Sequence, residues 1–244
     1  MAVTGVAVDR IRELIVSGVL QPGDRLPQEN ELAAELGISR NSMREAVRAL
    51  EQARVLSVRH GSGTYVTSLE PALLLQGIAF AVDMLRDDTL LEVLEVRELL
   101  EPAATRLATM RMTPAKLARI RNAFERHRVD GPVEELVQCD LEFHAAIVDA
   151  ADNSTLSSIL DGLSSRTVRQ RIWGGIVSDN AVQLTIDYHR RILDAIESGN
   201  PTVAEAAALV HVAFARTWLT DIRGAPPAIT PPATPPTRAG SRSA

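Results

Sequence analysis

One carboxylate and three imidazoles occur at positions that helical spacing places on otherwise apolar faces. Asp140 and His144 are four residues apart, so a helix carries them one turn apart on the same face. In later segments, His189 and His211 each lie among aliphatic or aromatic residues that occur at helical spacing. Three neutral imidazoles and one carboxylate suit a borderline divalent ion such as zinc, nickel or manganese, and facing helices of a bundle assemble such sites. The sequence therefore predicts a divalent metal site at Asp140, His144, His189 and His211.

The alternative for each histidine taken singly is a core residue that an ordinary hydrogen bond satisfies. Burying such a side chain without a partner costs about 1–3 kcal/mol, so something must satisfy each one. Three of the five histidines share this apolar setting with one acid. That coincidence favours one shared ion over three separate hydrogen bonds, although spacing along the chain does not show that the helices face one another.

A basic stretch in the N-terminal part of the chain provides a second group of polar residues. Between residues 38 and 66, five arginines oppose two glutamates, a net charge of +3 in a chain whose net charge is −5. Arg40, Asn41, Ser42 and Arg44 fall in the first turn and a half of a predicted helix, which is the end that a recognition helix inserts into the major groove. There arginine can donate two hydrogen bonds to a guanine edge, while short polar side chains and helix-terminal amides hold phosphate. This local positive charge predicts double-stranded DNA as a partner.

The elements around this stretch predict a winged helix-turn-helix. Apolar spacing and turn residues predict three helices, over residues 9–19, 28–36 and 41–53. Ser39 is a candidate N-cap for the third helix. Two short β-favouring runs then flank a loop with two glycines, which suits a tight hairpin. At the tip of this wing, His60 and Gly61 can approach the adjacent minor groove.

The apolar spacing and composition of the rest of the chain predict helices and no strands. Aromatic residues are 3% of the chain, and its apolar residues are mainly ones that keep their rotamer freedom in a helix. We therefore expect a mainly α fold whose C-terminal part is a seven-helix antiparallel bundle, with helices over residues 73–86, 89–110, 114–128, 133–151, 155–173, 180–198 and 202–221. The expected domains are residues 1–70 for the winged helix-turn-helix, 71–223 for the bundle, and 224–244 for a disordered, proline-rich tail.

The segment from Leu26 to Val66 contains L-P-Q-E-N-E-L-A, then L-G-I-S-R-N-S-M-R-E-A-V, then G-S-G-T-Y-V. It resembles the signature of the GntR family of regulators, in which similar motifs occur in this order and at this spacing. The resemblance implies contacts to DNA at the matching positions, which are Arg40, Asn41, Ser42, Arg44, His60 and Gly61. Two positions depart from the family. Asn30 stands where arginine is usual, which removes a common phosphate contact, and Arg54 replaces a glycine that usually follows the recognition helix.

The predicted metal ligands lie in D-L-E-F-H, in D-Y-H-R-R-I-L-D-A-I and in the last predicted helix. This arrangement resembles the FCD sensor domain of the FadR subfamily, and the number of helices agrees with it. The resemblance implies that the four positions bind a metal ion and that a small carboxylate effector completes its coordination. It also implies that Arg97 contacts the effector, because a guanidinium pairs with a carboxylate through two hydrogen bonds. The alternative for Arg97 is a salt bridge to Glu101, one helical turn away.

These patterns together predict a ligand-responsive transcriptional regulator. We expect a homodimer that binds a pseudo-palindromic operator and acts as a repressor, with the effector changing the angle between the domains. The alternatives are a metal-free acyl-CoA-sensing regulator, a metal-dependent enzyme and, last, a purely architectural DNA-binding protein. An enzyme is not expected, because no further carboxylate or histidine stands out as a general base and because an enzyme has no need of a helix-turn-helix.

The sequence also predicts where the protein acts. No segment has the pattern of a secretory leader, and no apolar run reaches the roughly 18 residues that span a bilayer. The single cysteine, Cys139, excludes an internal disulfide and fits a reducing compartment. We therefore expect a cytoplasmic protein without a membrane partner.

Overall fold

The computed structural model describes residues 3–86, 89–128, 131–165, 169 and 179–224. Its N-terminal part has three helices and then two strands, namely α1 (Val3–Val16), α2 (Glu29–Glu35), α3 (Arg40–Gln52), β1 (Leu56–Arg59) and β2 (Gly63–Val66). The strands pair antiparallel, with Leu56 opposite Val66 and Arg59 opposite Gly63. This is the helix-turn-helix with a wing that the sequence predicts.

A single apolar core holds these elements together. Helix α1 begins at Val3 rather than at residue 9, because Ala7 and Ile11, one turn apart, are both fully buried and extend its apolar stripe. The predicted stripe of α3 is buried in the same core and consists of Met43, Ala46, Val47 and Leu50. The opposite, polar face of α3 is therefore left to solvent.

The end of α3 is a Schellman-type turn in which Arg54 takes the position that glycine usually fills. Arg54 has a φ of 61°. Its N–H donates to the Glu51 carbonyl at 2.9 Å, and the N–H of Val55 donates to the Leu50 carbonyl at 2.9 Å. A residue with a Cβ is strained in this left-handed region by roughly 1–2 kcal/mol. The hydrogen bonds of the turn thus form in spite of the arginine.

Replacing Arg54 with glycine is expected to stabilise the protein. Relief of the left-handed strain outweighs the backbone entropy that glycine loses on folding, so we expect the free energy of unfolding to rise by about 0.5–1 kcal/mol. Urea denaturation followed by circular dichroism measures this change. Arg54→Ala is the control, because it removes the same side chain but keeps Cβ. An equal gain in both variants would show that the positive φ is not the cause.

The described part of the chain after the wing contains eight helical segments, which are α4 (Pro71–Leu74), α5 (Gln76–Asp83), α6 (Leu90–Met110), α7 (Pro114–Glu125), α8 (Val133–Ala150), α9 (Ser154–Leu163), α10 (Asp179–Glu197) and α11 (Pro201–Gly224). The segment predicted as one helix over 73–86 is divided at Leu75, close to Gly77, and glycine is a poor helix former. The mainly helical fold class, with its N-terminal helix-turn-helix and C-terminal helical domain, is confirmed.

Two sequence predictions fall mostly outside the described residues. Helix α9 ends at Leu163, and most of the rest of the helix predicted over 155–173 is not described. The predicted tail over 224–244 is described only at Gly224. Among the residues that are described, no helix combines the length and the apolar character of a membrane span.

The packing of the C-terminal helices brings the inward faces of three of them together. Helix α6 packs extensively on α11, α10 packs on α11, and α8 packs on both α6 and α7. Phe143 of α8, Ile192 and Ile196 of α10 and Ala208 of α11 share one apolar core. The helices α8, α10 and α11 also carry the four predicted metal ligands, so the core dictates where those side chains point.

Candidate functional site

The N-terminal end of α3 carries the predicted recognition residues on one surface. Ser39 caps the helix, because its hydroxyl oxygen accepts a hydrogen bond from the Ser42 N–H at 3.1 Å. The Ser42 hydroxyl lies 2.9 Å from the Ser39 hydroxyl and belongs to the same cap. Arg40, Asn41 and Arg44 are exposed around this end, while Ser42 is half-buried. The cap thus fixes the start of the helix and leaves two guanidinium groups in solvent.

The arginines of α3 differ in whether they have a partner inside the protein. Arg40 and Arg44 form no ion pair within the described parts of the chain. Arg48, further along the same helix, has its Nη1 3.4 Å from Glu45 Oε1. Arg40 and Arg44 are therefore available to base edges and phosphates, whereas Arg48 belongs to a solvated surface pair. Asn30 on α2 is exposed and adds no positive charge to this surface.

The tip of the wing presents His60 and Gly61 on an exposed turn. Gly61 has a φ of 74°, a left-handed conformation in which glycine is unstrained. The N–H of Ser62 closes the turn on the Arg59 carbonyl at 2.9 Å. The hydroxyl of Tyr65 lies 2.7 Å from Ser62 Oγ and ties the turn to strand β2. The two predicted wing residues are thus held on a short, hydrogen-bonded loop.

The second candidate site is a buried cluster that joins α8, α10 and α11. The Nε2 atoms of His144, His189 and His211 form a triangle with sides of 3.2, 3.3 and 3.2 Å. Asp140 Oδ1 lies 3.7 Å from Nε2 of His144 and 3.5 Å from Nε2 of His189. All four residues are buried, and none is more than 8% exposed. The structure therefore brings together the four side chains that the sequence predicts as ligands.

The spacing of the three nitrogens fits a shared cation better than a set of hydrogen bonds. Nitrogens that lie about 2.0–2.1 Å from a tetrahedral zinc ion are about 3.3–3.4 Å from one another, which is close to the 3.2–3.3 Å found here. A ring nitrogen that carries a proton cannot also accept one, so hydrogen bonding leaves at least one of the three contacts unsatisfied. The donor set of three imidazoles and one carboxylate is also one that borderline divalent ions favour.

Burial keeps the three imidazoles neutral. It lowers the pKa of His144 and the pKa of His189 well below the usual histidine value, and nearby positive groups add to the effect. Burial also lowers the pKa of His211, to about 4. Neutral imidazole is the form that binds a metal ion, so the cluster has the protonation state of a ligand set at neutral pH.

Buried charges from α6 and Arg169 surround the cluster. Glu101 Oε2 lies 3.5 Å from His144 Nδ1, and Glu101 Oε1 accepts a hydrogen bond from Nε of Arg97 at 2.6 Å. Arg169 Nη1 lies 2.7 Å from Asp140 Oδ2. Burial raises the pKa of Glu101, but Arg97 and Arg169 outweigh this and hold the pKa below its usual value. Glu101 therefore presents an ionised oxygen to the outer nitrogen of His144, as carboxylates commonly do behind metal-binding histidines.

The structure places Arg97 in the salt bridge that is the alternative to an effector contact. Arg97 is only 1% exposed and pairs with Glu101. Its Nη1 has no hydrogen-bond partner among the described residues. Glu101 is a member of the site that was not predicted, although its position one turn after Arg97 was a usable signal. Arg169 was not predicted either, because no local pattern distinguishes it from a surface arginine.

A cavity of about 360 Å³ opens beside the cluster. His144, Glu101 and Arg169 line it, together with residues of α8 and α9. Arg97 and the other three predicted ligands do not line it. The cavity lies at the small end of the roughly 300–1,000 Å³ that ligand pockets occupy. It therefore suits a small molecule, and its wall offers an imidazole, a carboxylate and a guanidinium.

Comparison with known protein families matches both regions of the chain. Residues 4–66 match the gntR family of bacterial regulatory proteins, and residues 92–214 match the FCD domain. The first range contains α3 and the wing. The second contains Arg97 and all four residues of the buried cluster.

Individual proteins resemble the chain over most of its length. The putative L-lactate dehydrogenase operon regulatory protein of Escherichia coli (strain K12) is 34% identical over 220 residues, which are 86% of this chain and 84% of that protein. The galactonate operon transcriptional repressor of the same strain is 30% identical over 214 residues, which are 85% of this chain and 93% of the repressor. The solved structure of Streptococcus agalactiae GntR is 28% identical, with a TM-score of 0.61 over 88% of this chain and 99% of that chain.

Proposed function

This chain belongs to the gntR family of bacterial regulatory proteins and has an FCD domain, and we propose that it is a homodimeric repressor controlled by a metal-assisted organic acid effector. Membership of this family makes it a DNA-binding transcriptional regulator and not an enzyme. We assign residues 1–70 to DNA binding and 71–223 to sensing. The observation that carries the sensing proposal is the buried convergence of three imidazole nitrogens and one carboxylate beside a cavity.

The proposed metal ligands are Asp140, His144, His189 and His211. Zinc, nickel or manganese is the kind of ion that this donor set favours. The buried charges around it already balance, because the guanidinium groups of Arg97 and Arg169 oppose the carboxylates of Glu101 and Asp140. A divalent ion held there would add two positive charges and could accept a carboxylate oxygen as a further ligand. An anionic effector therefore complements the proposed site.

We propose a small hydroxycarboxylic acid as the class of effector. A cavity of about 360 Å³ accommodates an acid of a few carbons, whereas an acyl-CoA with its nucleotide and pantetheine arm is several times larger. The two relatives are named for L-lactate dehydrogenase and galactonate operons, and lactate and galactonate are both hydroxy acids. Arg97 is the proposed partner of the effector carboxylate through its Nη1, which has no hydrogen-bond partner among the described residues. Because Arg97 is buried and does not line the cavity, this contact requires the side chains between Arg97 and the cavity to move when the effector binds.

Helix α9 joins the wall of the cavity to the two short helices that follow the wing. Asp161 and Ser164 line the cavity from α9 and the residue after it. Helix α9 packs against α4 and α5, which follow the wing in the chain. Gly162 lets α9 and α5 approach closely, since a Cβ at this position would lie 2.7 Å from Ile78 Cγ2. An effector that displaces α9 therefore displaces α5 and changes the orientation of the winged domain.

We propose that the residues that contact DNA lie on α3 and the wing and are Arg40, Asn41, Ser42, Arg44, His60 and Gly61. Two copies of the winged domain in a homodimer would read the two half-sites of a pseudo-palindromic operator. The protein would act in the cytoplasm, where the bacterial chromosome lies. Binding of the effector would weaken operator binding and relieve repression.

A thermal-shift screen with full-length protein and Zn²⁺ tests the sensing proposal. We expect L-lactate or galactonate to raise the melting temperature by about 5–10 °C at 100 times its Kd, because it binds the folded state only. Propionate, which lacks the 2-hydroxyl group of lactate, is the matched control and should give a smaller rise. A chelator should abolish the effect. A rise that persists with chelator would contradict metal-assisted binding, and a rise with an acyl-CoA alone would favour the metal-free alternative.

A further inference from the structure

The fifth histidine of the chain, His127, lies behind the cluster and contacts it through one ligand. It follows the C-terminal end of α7, and its ring Nδ1 lies 2.9 Å from the Phe124 carbonyl oxygen. Its Nε2 lies 3.2 Å from Nδ1 of His189. Nε2 of His189, on the other side of that ring, is the atom that faces His144, His211 and Asp140. His127 thus links the end of one helix to the ligand atom contributed by another.

The direction of these hydrogen bonds fixes the position of each proton. A carbonyl oxygen only accepts, so Nδ1 of His127 must carry the proton that it shares with Phe124. A neutral imidazole that carries its proton on Nδ1 has a free lone pair on Nε2, and the Nε2 of His127 lies within hydrogen-bond distance of Nδ1 of His189. The proton between the two rings must then belong to Nδ1 of His189. A neutral His189 with its proton on Nδ1 has an unprotonated Nε2 directed at the cluster.

Aromatic contacts hold the His127 ring in the orientation that this linkage requires. The ring stacks on Phe124, with centroids 5.6 Å apart and planes inclined by 28°. It also meets the edge of Phe143, with centroids 5.8 Å apart and planes at 89°. Its contact with His189 is edge-to-face, at 5.0 Å and 76°. The Phe124 carbonyl, two phenyl rings and one imidazole therefore constrain the position of Nε2.

We propose that His127 is a positioning residue that sets the tautomer of His189 and so raises the affinity of the cluster for divalent metal ions. This inference rests on the proposed metal site and adds a residue to it. If His189 carried its proton on Nε2, the proton would have to leave or move before that nitrogen could bind an ion. Groups that accept a hydrogen bond from the second ring nitrogen of a metal-binding histidine act in this way. Their loss typically weakens metal affinity by about 10- to 100-fold. His211 has no such partner for its Nδ1 among the described residues.

Competition between the full-length protein and a fluorescent chelator for Zn²⁺ tests the proposal. His127→Phe keeps an aromatic ring against Phe124 and Phe143 but removes both ring nitrogens, and we expect it to raise the Kd for Zn²⁺ by about 10- to 100-fold. His127→Gln is the matched control, because its amide oxygen can accept the proton of His189 Nδ1 in place of the imidazole. We expect the Kd of His127→Gln to stay within a few-fold of the unsubstituted value.

Nuclear magnetic resonance of the unsubstituted, metal-free protein tests the same inference without any variant. With ¹⁵N-labelled histidine, long-range correlations should show His189 protonated at Nδ1, and the Nε2-protonated form would overturn the proposal. Equal Zn²⁺ affinity in His127→Phe and the unsubstituted protein would overturn it as well, while leaving the metal site in place. If the unsubstituted protein bound Zn²⁺ no more tightly than His211→Leu, the metal site itself would be wrong, and the role of His127 with it.

Discussion

Alanine at both Arg40 and Arg44 is expected to remove the preference of the protein for operator DNA over scrambled DNA. Both side chains are exposed at the N-terminal end of α3, and neither has an ion-pair partner in the described parts of the chain. A bidentate contact between arginine and guanine contributes about 1–3 kcal/mol of discrimination, so losing two would lower specific affinity by roughly 30-fold to 10⁴-fold. Fluorescence anisotropy at fixed ionic strength, with duplexes from the native locus and scrambled competitors, measures the loss.

Arg48→Ala provides the matched control for this experiment. It removes a positive charge from the exposed face of the same helix, but the side chain that it removes pairs with Glu45 at 3.4 Å. We expect Arg48→Ala to change affinity for specific and scrambled duplexes alike and to leave their ratio intact. If Arg48→Ala lowered that ratio as far as the double variant does, recognition would depend on the general charge of α3, and the assignment of Arg40 and Arg44 would be wrong.

The N-terminal domain could be predicted closely because its structure follows from local patterns. The buried stripe of α3, the Ser39 cap and the glycine-containing hairpin are each properties of a few neighbouring residues. The start of α1 was placed too late, since an alanine and an isoleucine one turn apart are a weak apolar signal until the core around Ala7 is known. The strain at Arg54 was also beyond prediction in detail, because its φ depends on how the chain leaves α3.

The candidate metal site shows where local patterns stop being informative. Helical spacing identifies Asp140, His144, His189 and His211 as polar residues on apolar faces, but their distances come from the packing of α8, α10 and α11. Glu101 was identified only as a partner of Arg97, since its contact with His144 crosses from α6 to α8. His127 gave no signal, because it lies between two arginines at the end of the helix predicted over residues 114–128, and this charged setting is typical of a solvated helix end.

His211→Leu is expected to abolish stabilisation by Zn²⁺ while leaving the metal-free protein about as stable as before. Nδ1 of His211 has no hydrogen-bond partner among the described residues, and its Nε2 faces the nitrogens of His144 and His189. Leucine therefore removes polar atoms that contribute little. With Zn²⁺ at 100 times the Kd, the unsubstituted protein should gain about 2.7 kcal/mol of unfolding free energy. A loss of affinity of at least 100-fold would leave the variant a gain of about 0.4 kcal/mol or less.

Urea denaturation of each protein with chelator and with Zn²⁺ separates a ligand from an ordinary core histidine. Val212→Ala is the control, because Val212 is fully buried beside His211 on α11 and its truncation leaves a cavity. It should destabilise the metal-free and the metal-bound protein equally and keep the gain from Zn²⁺. If His211→Leu behaved in the same way, the histidine would be a structural core residue and the cluster would not be a metal site. A variant that is stable without metal but unresponsive to it is expected only of a residue whose nitrogen is there to bind the ion.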